Sequence, residues 1–588
     1  MVLALAALLA FSLMMDAVPA KRGQIRYTQP DGTTVTLFRH GDEFGHWTTD
    51  VHGNVVRRQA DGFYREVTPA EGLAIRQRAV QKRAAANRQR AARAQARIAA
   101  GQKHFLVILV AFHDKAFTIE DPQAAFDRLL NEQGYSVNGG TGSARDFYYD
   151  NSHGCFEPIF DVYGPVTLDN KYAYYGGNDS SGYDKNPEQA LIDGCNGLDD
   201  QIDFCRYDND GDGKVDMVFM YYAGYGEADS DDEDSIWPHQ WELSSAGKSL
   251  TLDGIQVDTY ACTNELDSSG KMCGIGAACH EFGHAMGLPD MYDTDGDENG
   301  SAEGLYDFST MCGGCYNNDS RTPPYFNIEE RILLGWIDDS VFSEFPKTGT
   351  YTIAPINGNA AYRTFTDQDG EYFVYENRAR EGWDAHLPAF GMIAYHVDKS
   401  SRQVKTSSGT VTARDLWENW GLYNTLNANG SHPCFYVVPA KDPTNLGYGR
   451  KYYSGYGYYF DSSYYPDLPF PGGATSYTPE SWNGVEGDIS FEDISFRDNQ
   501  VTLRAIVPSD ELDFCVIADE GSYRAGDRFT FTLVEPAEVH PETVAWYFDD
   551  EPAGADSVTL TAGRHVVEAR LTFAGGRTDR VTLEMEVL

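Results

Sequence analysis

The sequence predicts a multidomain α+β protein. Its main domain is built on a mixed sheet and one central helix, with β-rich units before and after it. Three observations carry this expectation. The segment Lys103 to Phe112 holds a continuous apolar run of strand length, which reads as a buried strand. A His/Glu/His cluster at 280–284 has helical spacing and is followed by Gly287 and Pro289, a stop signal. From residue 345 onward, Tyr- and Gly-rich alternating segments outnumber helical patterns.

The central helix carries the chemistry. His280 and His284 stand four residues apart, on one helix face, where both can bind one metal ion. Glu281 sits one step round, close enough to take a proton from a water that the metal activates. Gly287 suits the left-handed residue that closes a helix, and Pro289 blocks continuation. The chain can then fold back and bring Asp290 to the same metal as a third ligand; Glu303 is the alternative third ligand. Two imidazoles and one carboxylate with an open fourth position describe a catalytic zinc site. A bare His-Glu-x-x-His also occurs on surface helices as paired charges, but the extension by Gly287 and Asp290 is far rarer. Met311, followed by Gly313 and Gly314, fits the hydrophobic turn beneath the metal in zinc proteases of the Met-turn type. Alone it would be ordinary core filling. Together these pieces predict a zinc hydrolase in which Glu281 is the general base.

A second metal is expected upstream. Asp208, Asp210 and Asp212 alternate ahead of Gly213, a pattern of hard oxygen ligands suited to calcium. Lys214 would add a backbone carbonyl, and Asp216 would bind directly or through water. Phe219 stands where an EF-hand carries its bidentate Glu, so the loop is not a complete EF-hand; the competing reading is a solvated acidic turn. Asp293 to Gly300 is a weaker second candidate.

Composition places the chain outside the cell. The net charge is −43 over 588 residues. It is divided between a basic head, +8 over residues 1–103, and an acidic remainder at −51, which would repel nucleic acid. Residues 1–20 read as a signal peptide: Val2 to Met15 is apolar and too short for a comfortable membrane span, and Val18-Pro19-Ala20 offers a cleavage site. The 10 cysteines, an even number in an exported chain, predict disulfides, with six of them between Cys205 and Cys315. Cys279 reads as a buried thiol. No stable membrane span is expected after signal cleavage.

Residues 21–101 read as a propeptide. Thr33 to Phe38 is strand-like after a Pro-Asp-Gly turn, and Thr68-Pro69-Ala70-Glu71 is a capping box. The helix that should follow carries eight basic residues and no acid from Arg76 to Arg97, an exposed linker open to trypsin-like proteases. Residues 21–154 contain no cysteine, so a cysteine thiolate from this region cannot block the zinc. Asp42, Glu43 and His46 are the candidates for inhibition, beside simple obstruction. Residues 102–344 form the metallopeptidase domain, closed by a helix over Ile328 to Gly335. The strand Thr259 to Cys262 is expected at the edge where substrate lies extended. A β-rich accessory domain follows over 345–507, in which His396 is structural. An immunoglobulin-like sandwich occupies 508–588, with strands at Val544–Phe548, Ser557–Leu560 and His565–Ala569. A surface, matrix or glycan ligand is one use for these C-terminal modules; a passive spacer is the other.

Through much of residues 24–505 the sequence resembles the immune inhibitor A family of secreted bacterial zinc metallopeptidases. The resemblance rests on the zinc motif with its Met-turn and on supporting segments. These are Gly41–Trp47, Ser143–Tyr148, Asp210–Asp216, Ile236–His239, Leu334–Trp336 and Glu371–Arg378. It implies a propeptide, a zincin catalytic domain and C-terminal β modules. The function expected is a secreted zinc endopeptidase made as a zymogen and acting on protein substrates. Two other classes stay open: an adhesin with a vestigial protease domain, which the intact Glu281 argues against, and a zinc hydrolase of small amides, which the chain's size argues against.

Overall fold

The computed structural model describes residues 15–16, 18–21, 24–42, 45–59, 61–68, 71–72, 75, 99–179, 183–228, 230, 232–294, 300, 302–406, 409–453, 457–508, 515–518, 524–534, 540–573 and 578–588. The expected signal-peptide core, the basic helix over 76–98, Glu43 and the middle of the second acidic loop lie outside them. The architecture is mixed α/β and sheet-rich, in two compact units, 1–506 and 507–588.

The first unit is organised on a six-stranded sheet. Its strands are β1 (Met15–Asp16), β2 (Gly101–Ala111), β3 (Phe156–Thr167), β4 (Val218–Tyr225), β5 (His239–Glu242) and β6 (Thr259–Leu266), in the order β1-β5-β6-β4-β2-β3. Strands β3, β2, β4 and β6 run parallel, β5 pairs antiparallel with β6, and β1 pairs antiparallel with β5. The apolar run in β2 feeds two cores because successive side chains leave opposite faces. Phe105, Val107 and Leu109 point to one core, and Leu106, Ile108 and Val110 to the other.

Helices α1 (Pro122–Asn131), α2 (Ala144–Asn151) and α4 (Gly276–Met286) cover the first face, and α3 (Pro187–Leu198) the second. Phe282 on α4 anchors the first core. Its ring lies 4.6 Å from Phe105, 5.1 Å from Tyr148 and 5.4 Å from Phe160, centroid to centroid. This core runs on through Tyr372, Val374, Ile393, Tyr395 and Val437 of a downstream five-stranded sheet.

Polar groups tie the same parts together. Helix α5 (Ile328–Leu333) starts with a capping box of Asn327 and Glu330. Arg378, fully buried, forks onto Asp384 at 2.7 and 2.8 Å and donates to Phe308 O and Tyr325 O, both at 2.9 Å. Burial pushes the neighbouring carboxyls of Glu330 and Glu376 up to about 7.

Ahead of the main sheet, residues 25–66 form a five-stranded antiparallel sheet closed over Tyr27, Leu37, Val56 and Tyr64. The expected strand at 33–38 overlaps Thr34–Asp42, which is hairpinned to Gly45–Asp50. The Thr68/Glu71 capping box makes its reciprocal bonds, at 2.9 and 3.3 Å. The second unit, taken by itself, has a three-stranded and a four-stranded sheet. A core of Phe529, Phe531, Phe548, Val567 and Leu571 draws on both. Two of the strands expected there fall within Thr543–Phe548 and Gly563–Thr572, and the third, expected over Ser557–Leu560, ends one residue earlier, at Ser557–Thr559.

Two expectations are corrected. Thr259 to Cys262 is not an edge strand: β6 is buried at every position and is flanked by β4 and β5. The four-residue β5 covers it, and a strand that short carries little periodicity to read. Nor do disulfides staple the cleft, because none joins the nine cysteines whose side chains are described. Seven of these are buried and fill apolar space as small hydrophobes; burial pushes the Cys195 thiol up to about 12.

The seat of α4 depends on a missing side chain. A Cβ on Gly283 would lie 2.6 Å from Met311 Sδ. Gly283→Ala therefore overpacks the contact, and the expected loss is about 1–3 kcal/mol. Thermal unfolding checks this; an unchanged Tm would show that the helix does not rest on Met311.

Candidate metal centre

Helix α4 presents His280, Glu281 and His284 inward, all buried. It stops at Gly287, at φ +113°, whose N–H donates to Gly283 O and His284 O, while Leu288 N–H also donates to Gly283 O. A side chain would resist that left-handed residue. The reversal carries Asp290 back beside the two imidazoles.

Three donor atoms converge. His280 Nε2 and His284 Nε2 lie 3.0 Å apart, and Asp290 Oδ1 is 3.3 Å from each. The other ring nitrogens are engaged: His280 Nδ1 with Thr310 O at 2.9 Å, and His284 Nδ1 with Leu288 O at 2.8 Å. With Nδ1–H donated to a carbonyl, each ring turns its Nε2 lone pair towards the other and towards Asp290. Asp290 Oδ1 accepts no hydrogen bond from a described residue, although the residue is only 1% exposed. Electron-rich atoms this close and this dry need a cation among them. Two imidazole nitrogens and one carboxylate oxygen are a donor set that fits zinc.

Asp290 is positioned from far along the chain. Asn424 Nδ2 donates to Asp290 Oδ2 at 2.8 Å, and Asp290 N–H donates to Asn424 Oδ1 at 2.9 Å. Beneath the helix, Met311 N–H donates to Ser309 Oγ at 2.9 Å, and Met311 O accepts from Met291 N–H at 2.8 Å. Glu303 is placed elsewhere: its Oε1 lies 3.3 Å from Arg450 Nε.

The segment ahead of the pro-region sheet also reaches this site. Strand β1 pairs with β5, the edge strand of the main-domain sheet, and Val18 N–H donates to Glu281 Oε1 at 2.8 Å. Trp237 Nε1 donates to Val18 O at 3.3 Å, and Tyr316 OH to Pro19 O at 2.7 Å. Val18 fills a small apolar cluster with Ala228, Trp237 and Cys315. Of the three residues named for inhibition, His46 lies against Glu227 and Trp237 rather than the two histidines. The side chains of Asp42 and Glu43 are outside the described residues.

The acidic loop is more open. Asp208, Asp210 and Asp212 offer oxygens within 4.8 Å of one another. Asp208 accepts the N–H groups of Gly211, Asp212 and Gly213 at 2.8–3.0 Å. Asp216 is outside this group: Asn209 donates to it, and burial pushes it up to about 6. The Lys214 ammonium turns to Asp258, 3.6 Å away.

Sequence reasoning missed Asn424, Trp237 and Tyr316 as site residues. Asn424 has no local signal, since it meets Asp290 across 134 positions. Trp237 stood in a segment that resembled the family, but nothing in its spacing pointed to the cleft.

Comparisons with known proteins agree with this geometry. Residues 101–327 match the model of the immune inhibitor A peptidase M6 catalytic domain. The chain is 29% identical over 220 residues to immune inhibitor A of Bacillus thuringiensis subsp. alesti, which is 32% of this chain and 31% of that protein. It is 26% identical over 228 residues to the pre-pro-metalloprotease PrtV of Vibrio cholerae serotype O1 (strain M66-2), 33% of this chain and 24% of that protein. The chain thus spans less than a third of the length of these curated relatives. Over residues 101–327 the chain is therefore similar to the catalytic domain of the immune inhibitor A family of M6 peptidases.

Proposed function

We propose that the protein is a secreted zinc endopeptidase of zincin type, made as a zymogen. The observation that carries this reading is the convergence of His280 Nε2, His284 Nε2 and Asp290 Oδ1 beside Glu281 on one buried helix face. These three side chains would hold the zinc. Bound there, zinc supplies Lewis acidity, polarising the scissile carbonyl and making water acidic near neutral pH.

The remaining steps belong to the chain's own residues. With β1 displaced, strand β5 would offer an edge on which an extended peptide can add as a further strand. Trp237 and Tyr316 would hold its main chain, as they hold Val18 and Pro19. Glu281 takes a proton from the attacking water and passes it to the leaving amine nitrogen. The 2.8 Å bond from Val18 N–H to Glu281 Oε1 supports this, because it brings a main-chain nitrogen to the same carboxylate oxygen. Met311 under Gly283 and Asn424 on Asp290 hold the ligands in place.

Two variants separate these roles. Glu281→Gln should keep the zinc and lose protein hydrolysis by about 10³-fold or more. Asn424→Ala should weaken zinc binding by about 10- to 100-fold, because it frees the carboxylate it orients. Metal analysis and hydrolysis of a dye-labelled protein check both, and undiminished turnover by Glu281→Gln would remove the mechanism.

The pro-region reading follows from the same bond. The amide of Val18 on Glu281 and the strand Met15–Asp16 on β5 occupy the positions a substrate would need, so obstruction is the mode of latency we favour; it requires that the signal sequence be cut upstream of Met15 rather than before Lys21. Hydrolysis should appear only after limited trypsin has cut the basic linker, and should then vanish with a zinc chelator. Full activity of the uncut chain would refute latency while leaving the protease.

A calcium ion held by Asp208, Asp210 and Asp212 is a separate part of the proposal, supported by the spacing of their oxygens. Calcium should raise the Tm of the chain, and Asp210→Asn with Asp212→Asn should abolish that rise. A Tm insensitive to calcium would make the loop an acidic turn.

A further inference from the structure

Glu227 lies just beyond β4 and is 1% exposed with the pro-region in place. A buried carboxylate needs positive partners. Among the described residues its ion pairs are with Arg39 and His46, both from the Thr34–Asp42/Gly45–Asp50 hairpin of the pro-region. Arg39 donates to Glu227 O and holds its Nη1 3.6 Å from Oε1, and His46 Nε2 lies 2.9 Å from the same oxygen. From the main domain comes one neutral donor, Asn178 Nδ2, at 2.9 Å. Oε2 accepts no hydrogen bond from a described residue.

This carboxylate is joined to the candidate active site through few steps. The His46 ring stacks on Trp237, with centroids 4.3 Å apart and planes at 19°. The Trp237 indole donates to Val18 O, and Val18 N–H reaches Glu281. Three residues further on, Lys21 N–H donates to Ala228 O, next to Glu227. Main chain entering the cleft on the far side of Glu281 therefore passes directly over Glu227. Once the pro-region leaves, the Arg39 guanidinium and the His46 ring leave with it. A desolvated carboxylate and the Asn178 amide then face the cleft, with Glu233, itself raised by burial and by Glu227, close by.

We propose that Glu227 is a specificity-determining residue: it binds an arginine side chain of the substrate on the leaving-amine side of the cleaved bond, in the place that Arg39 and His46 occupy in this structure. This rests on the peptidase reading. A guanidinium fits because it is permanently charged, weakly hydrated and able to fork across the Oε1 and Oε2 atoms. A neutral side chain would leave the carboxylate unpaired and is disfavoured for that reason.

The test uses the full chain carrying Glu281→Gln, freed of its pro-region by limited trypsin, so that bound peptides stay intact. Fluorescent peptides carry arginine, or its neutral isostere citrulline, at each position equivalent to Val18 through Lys21. Arginine should bind about tenfold or more tighter than citrulline at one of these positions, as expected for a partly buried charge pair. Adding Glu227→Gln should bring the ratio to near unity. If that variant does not fold, Asn178→Lys supplies an internal ammonium to Glu227 and should cancel the preference in the same way. No arginine preference at any position, or a preference that survives these substitutions, overturns the proposal. Hydrolysis of the same peptides by the chain with Glu281 intact is read separately: its absence would defeat the peptidase reading, whereas the arginine-to-citrulline binding ratio would still decide the role of Glu227.

Discussion

Two imidazole nitrogens 3.0 Å apart, with a carboxylate oxygen 3.3 Å from both, impose an electrostatic demand on which the rest of the site depends. Left alone in a dry interior, these atoms repel one another. The surrounding structure keeps them together. Thr310 O and Leu288 O fix the rings, Asn424 fixes the carboxylate, and Met311 supports the helix at Gly283. Each of these contacts costs the fold some freedom. Together they make sense as a pre-arranged seat for a cation, whose arrival relieves the repulsion.

The edge of the sheet explains the second half of the architecture. Parallel strands β3, β2, β4 and β6 need cover on both faces and receive it from helices. Strand β5 runs the other way and leaves main-chain groups available on its outer side, where β1 pairs. An exposed edge is a liability unless something covers it. In this chain the cover is its own N-terminal segment, and the pro-region sheet behind it supplies the Arg39 guanidinium and the His46 ring that face Glu227. Covering the edge and neutralising the acid are thus achieved by one removable block.

Much of the site was legible because it is local. The four-residue spacing of His280 and His284, the glycine that ends the helix and the proline after it all act within a dozen residues, and the helix, its left-handed stop and the return of Asp290 follow from them. The buried strand β2 was legible from its unbroken apolar run, since a strand covered on both faces has no polar side. What escaped reading is non-local or short. Strand β5 has four residues, too few for a period, so the sequence pattern points to its neighbour β6 as the edge. Asn424 lies 134 positions from its partner. The cysteine count suggested bridges, yet seven thiols are buried as small apolar side chains, a use that counting cannot separate from pairing.

The span matched to the family ends at residue 327, but the physical support of the centre does not. Asn424, which clamps Asp290, and Arg378, which grips Phe308 three residues before Met311, both come from beyond that limit. The recognisable segment and the working segment are therefore different lengths of polypeptide. A recombination event that moved residues 101–327 into another gene would transplant the two histidines and the glutamate but leave behind the amide and guanidinium that steady them. Inheritance of this centre as a functioning unit requires both halves of the first compact body to travel together.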